Sequence, residues 1–540
     1  MTKSAQLETQ NSDTNVDNST FSRILSIYTR LGQEIIEAEN KHGFQSDDFF
    51  KRFVRYYDLL EKSNDGQFKF LTVNTADIWS KIELLNIPTK LKDVESLYVL
   101  EYQEAPGTVT KGLILINDFS QEDDNSFNNL HTFHKWFSRL IARDTRTNLS
   151  AFPSVYDKDA IVATKIADYF NKHLKHTVID DKWENFGKDY FIKRCHFFTK
   201  RNAKIEAVLP AFPCKSSNLE KVGGISPDKG EELGLRRLIS FTEEIEKIYE
   251  PGLKVFIVSD GHVFSDCIGV DDDIVDSYTA NLKQLYQNII AENSYHNKEC
   301  IGFISLKDIL YVHNDPLPIE HVKDFPMEHS TGTKIDEASE ISRQMLMAGC
   351  DTDCGGLRKD INTDNHPRLY LYRGFSRFMS EDLALNSYFD KMSNKKFKKI
   401  VSKVSFEMIK RNDAYSNLVE LIFPFHLRFS IHAHNNKGPK FGIKLIKSEH
   451  CKIIKKLDSA EEPECEDLLH IPTPWHNSII KIEGADTYYL AKSKIVIDAI
   501  EDGHYEGEWV SSDIQTGYGG HFYLKKSSTN LEKQKQTVLN

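Results

Sequence analysis

The stretch LKVFIVSDGHVFSD (residues 253–266) changes from an apolar run to a polar segment between Val258 and Ser259. Uninterrupted apolar runs such as 255–258 are typical of strands that are covered on both faces. Two similar runs flank this one, KIEAVL at 204–209 and CIGFISL at 300–306, and segments with helical periodicity lie between them. Buried strands that alternate with helices predict an α/β fold with a Rossmann-like parallel sheet and crossover helices.

The starts of the two connecting helices support this prediction. Asp228 and Glu231 have the spacing of a capping box, and Pro251 and Gly252 follow the last apolar position of the same segment. Three aspartates at 271–273 precede the second helix, where carboxylates oppose the unsatisfied amide dipoles.

Composition limits the classes of function. The chain has 540 residues, 40% of them hydrophobic, which is enough for an ordinary core, and a net charge of −11 argues against a nucleic-acid partner. The basic stretch NKKFKKIVSK (394–403) has apolar residues at helical spacing and predicts a solvated helix face. The start of the chain lacks a signal-peptide pattern and no window resembles a membrane span, so we expect a cytoplasmic protein without a membrane partner.

The chain divides into four parts by its patterns. Residues 1–20 and 526–540 are polar and predict disordered tails. Residues 21–150 form an accessory N-terminal region of mixed structure, with two amphipathic helices over about 21–62 and two strands around a Pro-Gly turn over 96–119. Residues 151–525 are expected to form one catalytic domain.

Two loops are predicted to meet at the ligand-binding edge of the sheet, since parallel sheets bind ligands beyond the carboxyl ends of their strands. The loop after 204–209 offers Lys215, Ser216 and Asn218, and the loop after 253–258 offers Asp260 and Asp266. A cationic loop would then face an acidic one. The alternative is that both loops are only turns, because these residue types also favour turns.

A second candidate region is NLVELIFPFHLRFSIHAHNNKGPKFGIKL (417–445). A period of two places Arg428, Ser430 and His432 on one face of a strand, and KFGIKL (440–445) is predicted to return as its hairpin partner. Arg428 and Lys440 at one end of this C-terminal hairpin would suit a phosphate or carboxylate. The alternative is an exposed polar face on a half-buried sheet.

Three further patterns offer candidate binding residues. In TPWH (473–476), Trp475 and His476 could line a pocket, or they could be a core tryptophan beside a surface histidine. His426, His432, His434 and the H-x-D pattern at 313–315 leave a metal-dependent oxygenase open, although chance produces such patterns often. Cys350 and Cys354 lack a second ligand pair, and no G-x-G-x-x-G or P-loop pattern is present, so neither a metal nor another cofactor is expected.

Four separated motifs resemble one family. LPAFPCKSSNLEKVGGISPDKGE, SDGHVFSDCIGVDDDIVDSY, LRFSIHAHNNKGPKFGI and TPWH, in this order over about residues 155–490, are similar to the pyoverdine/dityrosine biosynthesis family, the isocyanide synthases. The resemblance implies an enzyme that joins tyrosine or another amino acid to a carbon of ribulose 5-phosphate, so that an isocyanide replaces the amine. The long N-terminal extension resembles that of the fungal branch of the family. This resemblance implies that the product is N-formyltyrosine, the first precursor of spore-wall dityrosine, and that a cytochrome P450 acts on it downstream.

The resemblance also suggests roles for the candidate residues. The catalytic set comprises Lys215, Asp260 and His432, with His432 as the leading general acid or base. The substrate-binding set comprises Arg428 and Lys440 for the phosphate, Asp266 beside Asp260 for the ammonium, Trp475 and His476 for the aromatic ring, and Ser216 and Asn218. Residues 350–365 match no family motif, and RFSIHAH differs from bacterial relatives at its second and penultimate positions. Two other hypotheses remain: an isocyanide synthase for a different amino acid, and a non-catalytic wall-assembly protein.

Overall fold

A computed structural model describes three strands of the N-terminal region and most of the chain from residue 158 to residue 527. The described ranges are 67–73, 96–105, 108–116 and 158–527, with gaps at 201, 293–298, 311–326, 351–355, 424–425, 447–448, 458–471 and 514–518. The predicted helices of 21–62 and the histidine pattern at 313–315 lie outside these residues.

A five-stranded parallel sheet forms the centre of the structure. Its strands are β4 (Ile205–Pro210), β5 (Leu253–Val258), β6 (Ile301–Ile304), β7 (Leu427–Ser430) and β8 (Lys440–Gly442). They are arranged in the order β6-β5-β4-β7-β8, and every neighbouring pair is parallel. The predicted parallel α/β sheet is therefore confirmed.

Helices surround this sheet and bury it. They are α1 (Lys158–His173), α2 (Lys188–Thr199), α3 (Lys229–Ile248), α4 (Gly261–Ile268), α5 (Asp272–Glu292), α6 (Leu306–Leu310), α7 (Glu337–Cys350), α8 (Gly356–Ile361), α9 (Pro367–Leu383) and α10 (Asn394–Ile422). The capping box of α3 is present, because Asp228 Oδ1 accepts from Gly230 N at 2.7 Å and Glu231 Oε2 accepts from Asp228 N at 2.9 Å. Phe170 of α1 stacks on Phe429 of β7 at a centroid distance of 5.4 Å within the core.

Two sequence predictions near the sheet edge were wrong. The segment 427–445 is not a hairpin, because β8 pairs with β7 in parallel and Arg428 faces Lys440 in the register. The connecting loop turns back along the sheet, where Asn436 accepts from Gly442 N at 2.9 Å and donates to His176 O at 2.8 Å. The polar segment after β5, predicted as a loop, is helical for most of its length, because α4 begins at Gly261.

A second sheet follows in the C-terminal part. Its strands β9 (Cys451–Ile453), β10 (Ser478–Ile482), β11 (Tyr488–Ala491), β12 (Tyr505–Val510) and β13 (His521–Lys526) have the order β12-β13-β10-β11-β9, and α11 (Ser493–Glu501) lies between β11 and β12. Helix α3 contacts both sheets, through β5 on one side and β10 on the other. The sequence patterns did not predict this sheet.

The N-terminal strands form a separate antiparallel meander. Strands β2 (Ser96–Ala105) and β3 (Thr108–Ile116) pair as predicted, and β1 (Gln67–Val73), which the sequence analysis missed, pairs with β2. Within the described part of the chain, no helix is long and apolar enough to cross a membrane.

Candidate active site

The order of the central strands places a crevice beside the carboxyl end of β4. The chain proceeds from β4 to β5 and β6 on one side and then returns to β7 and β8 on the other. Loops leave the sheet in opposite directions at such a reversal, and ligands of open parallel sheets bind there. The loops after β4 and β5 are neighbours, as predicted, because Ser259 Oγ donates to Phe212 O at 3.2 Å. Gly261 permits this contact, since a Cβ there would lie 2.3 Å from Pro213 O.

Asp260 lies at this edge with little solvation. It precedes the first residue of α4 but makes no side-chain capping bond, and its Oδ1 is buried without a hydrogen-bond partner among the described residues. Burial raises the pKa of Asp260 to about 6, although its own backbone N–H and Arg428 favour the charged form. Asp260 can therefore bind or release a proton near neutral pH.

Asp266, one turn and a half further along α4, has the opposite environment. Arg411 contacts both of its oxygens, at 2.5 and 3.0 Å, and His329 Nδ1 lies 2.9 Å from Oδ2. Burial alone would raise the pKa of Asp266, but Arg411, His329 and Arg343 hold it well below its usual range. Asp266 is thus a permanent anion in a buried ion-pair network, and it has no free side towards a substrate ammonium.

Arg428 and Lys440 form a cationic wall beside His434, because they are paired in the register of β7 and β8 and both act on the charge of His434. All four residues of β7 are buried, so the alternative of an exposed polar face is wrong. The positive charges of these residues also act on His434. Burial lowers the pKa of His434, and electrostatic repulsion by His432, Lys440 and Arg428 lowers it further, to about 4. This cationic wall favours an anion with more than one charge, such as a phosphate.

Ser430 connects the end of β7 to the two histidines. Its Oγ lies 2.9 Å from His434 Nε2 and accepts from His432 N at 3.2 Å. The His432 side chain is exposed, whereas Ser430 is buried. His432 thus remains accessible at the mouth of the crevice, beside the cationic wall.

Lys215 turns away from the crevice and into the first turn of α3. Its Nζ lies 2.6 Å from Asp228 Oδ2 and 2.8 Å from Glu231 Oε2, and it donates to Pro474 O at 3.0 Å. Burial opposes the charge of Lys215, but Asp228 and Glu231 outweigh it and raise its pKa. The three acceptors use all three ammonium hydrogens, so Lys215 connects α3 to the TPWH turn and does not form a cationic loop.

Ser216 and Asn218 also serve the structure of their loop. Ser216 N donates to Trp475 O at 2.9 Å, and Asn218 Nδ2 donates to Glu381 O at 3.0 Å. Nearby, Lys221 Nζ contacts Asp382 Oδ1, an acid at the end of α9. The loop after β4 is therefore fixed to α9 and to the TPWH turn.

Trp475 and His476 lie in different surroundings although they are adjacent. Trp475 is buried in the core and contacts Phe212, with centroids 5.1 Å apart, which supports the alternative reading of a core tryptophan. His476 contacts Phe378 edge-on at 5.0 Å, and burial, Lys492 and Lys221 keep its pKa well below 6.5. Burial and Lys221 also lower the pKa of Lys492 to about 8. His476 is thus a neutral imidazole close to two lysines.

Several charged residues around these loops were not predicted from the sequence, above all Arg343, Arg411, Asp382 and Lys492. Arg411 did carry a signal, because it lies on the same face of α10 as Met408 and Tyr415, which are buried. A charged residue on the apolar face of a helix needs a buried counter-ion. The position of that counter-ion, however, depends on the fold.

The described residues contain one group of three side chains close enough to share a metal ion, His262, Asp276 and Asp336. Lys307 Nζ lies 2.6 Å from Asp276 Oδ2 and 3.5 Å from Asp336 Oδ2, so its ammonium already supplies a positive charge to this group. His426, His432 and His434 do not form such a group among the described residues. The arrangement of donors in the crevice therefore gives the oxygenase hypothesis no support.

Comparison with known proteins identifies the family. The family model described as pyoverdine/dityrosine biosynthesis protein matches residues 195–503, which include all the candidate site residues of the crevice. The chain belongs to the pyoverdine/dityrosine biosynthesis family. It is 46% identical to the spore wall maturation protein DIT1 of Saccharomyces cerevisiae over 95% of this chain and 93% of that protein.

Bacterial proteins match a shorter part of the chain. An L-tyrosine isonitrile synthase of Xenorhabdus nematophila is 30% identical over 57% of this chain and 77% of its own length. The crystal structure of the PvcA protein from Pseudomonas aeruginosa superposes with a TM-score of 0.50 at 25% identity, over 66% of this chain and 99% of that one. The family's α/β fold is therefore shared.

Proposed function

We propose that the protein is an isocyanide synthase-like enzyme that modifies the amine of L-tyrosine with one carbon from ribulose 5-phosphate, giving an isocyanide or N-formyltyrosine. Membership of the family and the similarity to an L-tyrosine isonitrile synthase support this proposal. The similarity to a spore wall maturation protein further supports a product that serves as the first precursor of dityrosine in a fungal spore wall. A cytochrome P450 would then act on that product.

The observation that carries the proposal is the opposite polarity of the two walls of the crevice. Arg428 and Lys440 form the cationic wall and Asp260 forms the acidic one, and Arg428 interacts electrostatically with Asp260. A sugar phosphate presents a dianion, and an amino acid presents an ammonium. The two walls thus match the charged groups of the two proposed substrates.

Asp260 also has the ionisation that the first chemical step needs. An ammonium cannot attack a carbonyl until it loses a proton, and a base with a pKa of about 6 can accept that proton near neutral pH. The amine nitrogen then forms a bond to the ketose carbonyl carbon, and loss of water gives an imine. His432, at the mouth of the crevice, is our candidate for the acid that protonates the departing hydroxyl.

The remaining candidates divide by their contacts. We assign His476 to the wall of the amino-acid site, since its ring contacts Phe378 and lies near Lys492. Lys215, Ser216, Asn218, Asp266 and Trp475 are buried in contacts with the protein itself, and we assign them to the support of the crevice. We further propose that the sheet is Rossmann-like, because its order β6-β5-β4-β7-β8 follows the 3-2-1-4-5 pattern. We also propose that residues 151–525 form one catalytic domain, which contains the family match at 195–503.

The test is to incubate the purified protein with L-tyrosine and ribulose 5-phosphate and to measure by mass spectrometry the gain of one carbon on nitrogen. Arg428→Met should lose most of the product, whereas Arg377→Met, which removes an exposed arginine from α9, should keep it. Carbon-13 at C2 of the sugar phosphate should appear in the product. Absence of product from tyrosine, together with product from another amino acid, would favour the second candidate, a synthase with a different substrate.

A non-catalytic wall-assembly protein predicts a different outcome. In that case Arg428→Met and Asp260→Asn would leave spore-wall formation intact in cells. Loss of dityrosine in both variants, with normal folding of the purified proteins, would eliminate that function.

A further inference from the structure

Ser430 and His434 have the geometry of a proton-transfer pair. The Ser430 Oγ accepts a hydrogen bond from His432 N at 3.2 Å and lies 2.9 Å from His434 Nε2. A hydroxyl that accepts from one side has its single hydrogen available for the other partner. Since His434 is neutral, its Nε2 can accept that hydrogen. The hydrogen bond to His434 then polarises the Ser430 hydroxyl, as a neighbouring base does for a serine that acts as a nucleophile or transfers a proton.

The pair is held rigidly at the edge of the cationic wall. Ser430 ends β7 and is buried. The turn that carries His434 approaches β8 closely, because a Cβ on Gly442 would lie 3.1 Å from His432 O and 3.5 Å from His434 N. Asn436 fixes the rest of this turn to Gly442.

We propose that Ser430 and His434 form a catalytic relay that moves a proton to and from the substrate, and that phosphate bound at Arg428 and Lys440 activates this relay. The proposal rests on the proposed function, because it takes the anion to be the phosphate of the second substrate. A proton leaving the adduct would pass to Ser430 Oγ while the Ser430 hydroxyl proton passes to His434 Nε2. The return transfer restores both groups, and no oxidation or reduction takes place.

Electrostatics explains why phosphate would activate the relay. Besides burial, the charges that face His434 are Arg428 from β7, Lys440 from β8 and His432 from its own turn. His176 also lies near Gly442, since its Cβ is 3.6 Å from the position that a Cβ on Gly442 would take. A dianion on Arg428 and Lys440 cancels their repulsion of an imidazolium. The pKa of His434 should then rise from about 4 by roughly one to three units, the usual effect of an opposite charge nearby.

The first experiment follows the His434 imidazole by NMR in the full protein while pH is varied, with and without inorganic phosphate. The His434→Gln variant assigns the NMR signal of the His434 imidazole, because that signal is absent from its spectrum. The Arg428→Met variant removes one positive charge from the cationic wall. We expect phosphate to raise the pKa of His434 in the wild type, and to do so much less in Arg428→Met. Phosphate that binds, as seen by phosphorus NMR, without moving this pKa would overturn the proposed activation.

The second experiment measures turnover in Ser430→Ala and His434→Gln. We expect kcat to fall by at least about 100-fold in both, the usual contribution of a positioned acid or base, with little change in KM for the sugar phosphate. The acidic limb that His434 contributes to the pH profile of kcat should disappear in His434→Gln. Ser405→Ala, which removes another buried hydroxyl from α10, should keep wild-type kcat.

The two experiments separate failure of the relay from failure of the proposed function. Wild-type kcat in Ser430→Ala would overturn the relay while the proposed function stands. A wild type that makes no product from tyrosine would refute the proposed function, and the relay would fall with it, whereas the response of His434 to phosphate would still test the electrostatic effect of the anion.

Discussion

Asp260→Asn should make the protein more stable and less active, and its effect on stability should depend on pH. The side chain of asparagine has nearly the shape of aspartate but cannot ionise. In the wild type, burial raises the pKa of Asp260 from 3.8 to about 6. The folded state therefore holds a proton that the unfolded chain has already lost over this pH range, and the free energy of unfolding falls as pH rises from 3.8 through about 6.

The size of the effect follows from the change in pKa. Each pKa unit corresponds to about 1.4 kcal/mol, so a rise of about two units costs the wild type up to about 3 kcal/mol above the folded pKa. Asp260→Asn avoids this cost. Its stability relative to wild type should thus be near zero at about pH 4 and approach about 3 kcal/mol at about pH 7.

The assay is urea unfolding of both proteins over this pH range, with turnover measured in parallel. We expect kcat/KM to fall about 100- to 10,000-fold in the variant, because asparagine cannot accept the proton of the substrate ammonium and a positioned base contributes about that much. Asp266→Asn is the matched control. It should destabilise the protein by about 3–5 kcal/mol at neutral pH, since it leaves Arg411 with a buried and unbalanced charge. A stability difference for Asp260→Asn that does not vary with pH, or that has the opposite sign at neutral pH, would refute the reasoning.

Three other predictions concern the support of the crevice. Lys215→Met should lower the free energy of unfolding by about 3–5 kcal/mol, because it leaves the buried Asp228 carboxylate without its cation. Phosphate binding to the folded protein should persist. A variant that keeps its stability but loses its affinity for phosphate would contradict this prediction. Asp266 and Glu340 raise the pKa of His329 from 6.5 to about 9 against the effect of burial. The stability that His329 contributes should therefore be present below pH 6.5 and be lost as pH rises through about 9, and unfolding curves of His329→Gln should lack this dependence. Gly261→Ala should lower the free energy of unfolding by about 1–3 kcal/mol, although alanine has the better helix propensity, because the new Cβ would meet the carbonyl of Pro213 in the loop after β4. A melting temperature equal to that of the wild type would disprove that contact.

Much of the fold could be predicted because its signals are local. The apolar runs of β4, β5 and β6 and the capping box of α3 lie within short windows of sequence, and the structure shows each of them. The direction of β8 was not predictable in this way. A strand of three residues has the same alternation whether it runs parallel or antiparallel, and here the connecting loop is fixed by Asn436 to a distant segment.

The candidate site shows the same division. Sequence patterns selected Asp260 because it follows a buried strand, and they selected Arg428, Lys440 and His432 because an alternating pattern and a predicted hairpin placed them together. They also selected Lys215, whose residue type suits a phosphate. Only the structure shows that α3 supplies Lys215 with two carboxylates.

In the segment SDGHVFSD, the position of the acids depends on local signals and their charge states depend on the fold. Its place after a buried parallel strand follows from local apolar pattern, and so does the prediction that its acids lie near a ligand edge. The charge states of Asp260 and Asp266 do not follow from it. Asp266 is a fixed anion because Arg411, 145 residues further along the chain, reaches it. In contrast, Oδ1 of Asp260 is buried without a hydrogen-bond partner among the described residues, and this burial outweighs Arg428 and raises the pKa of Asp260 to about 6. Burial and counter-ions set the ionisation of a carboxyl group, and both depend on which distant helices the fold brings beside it.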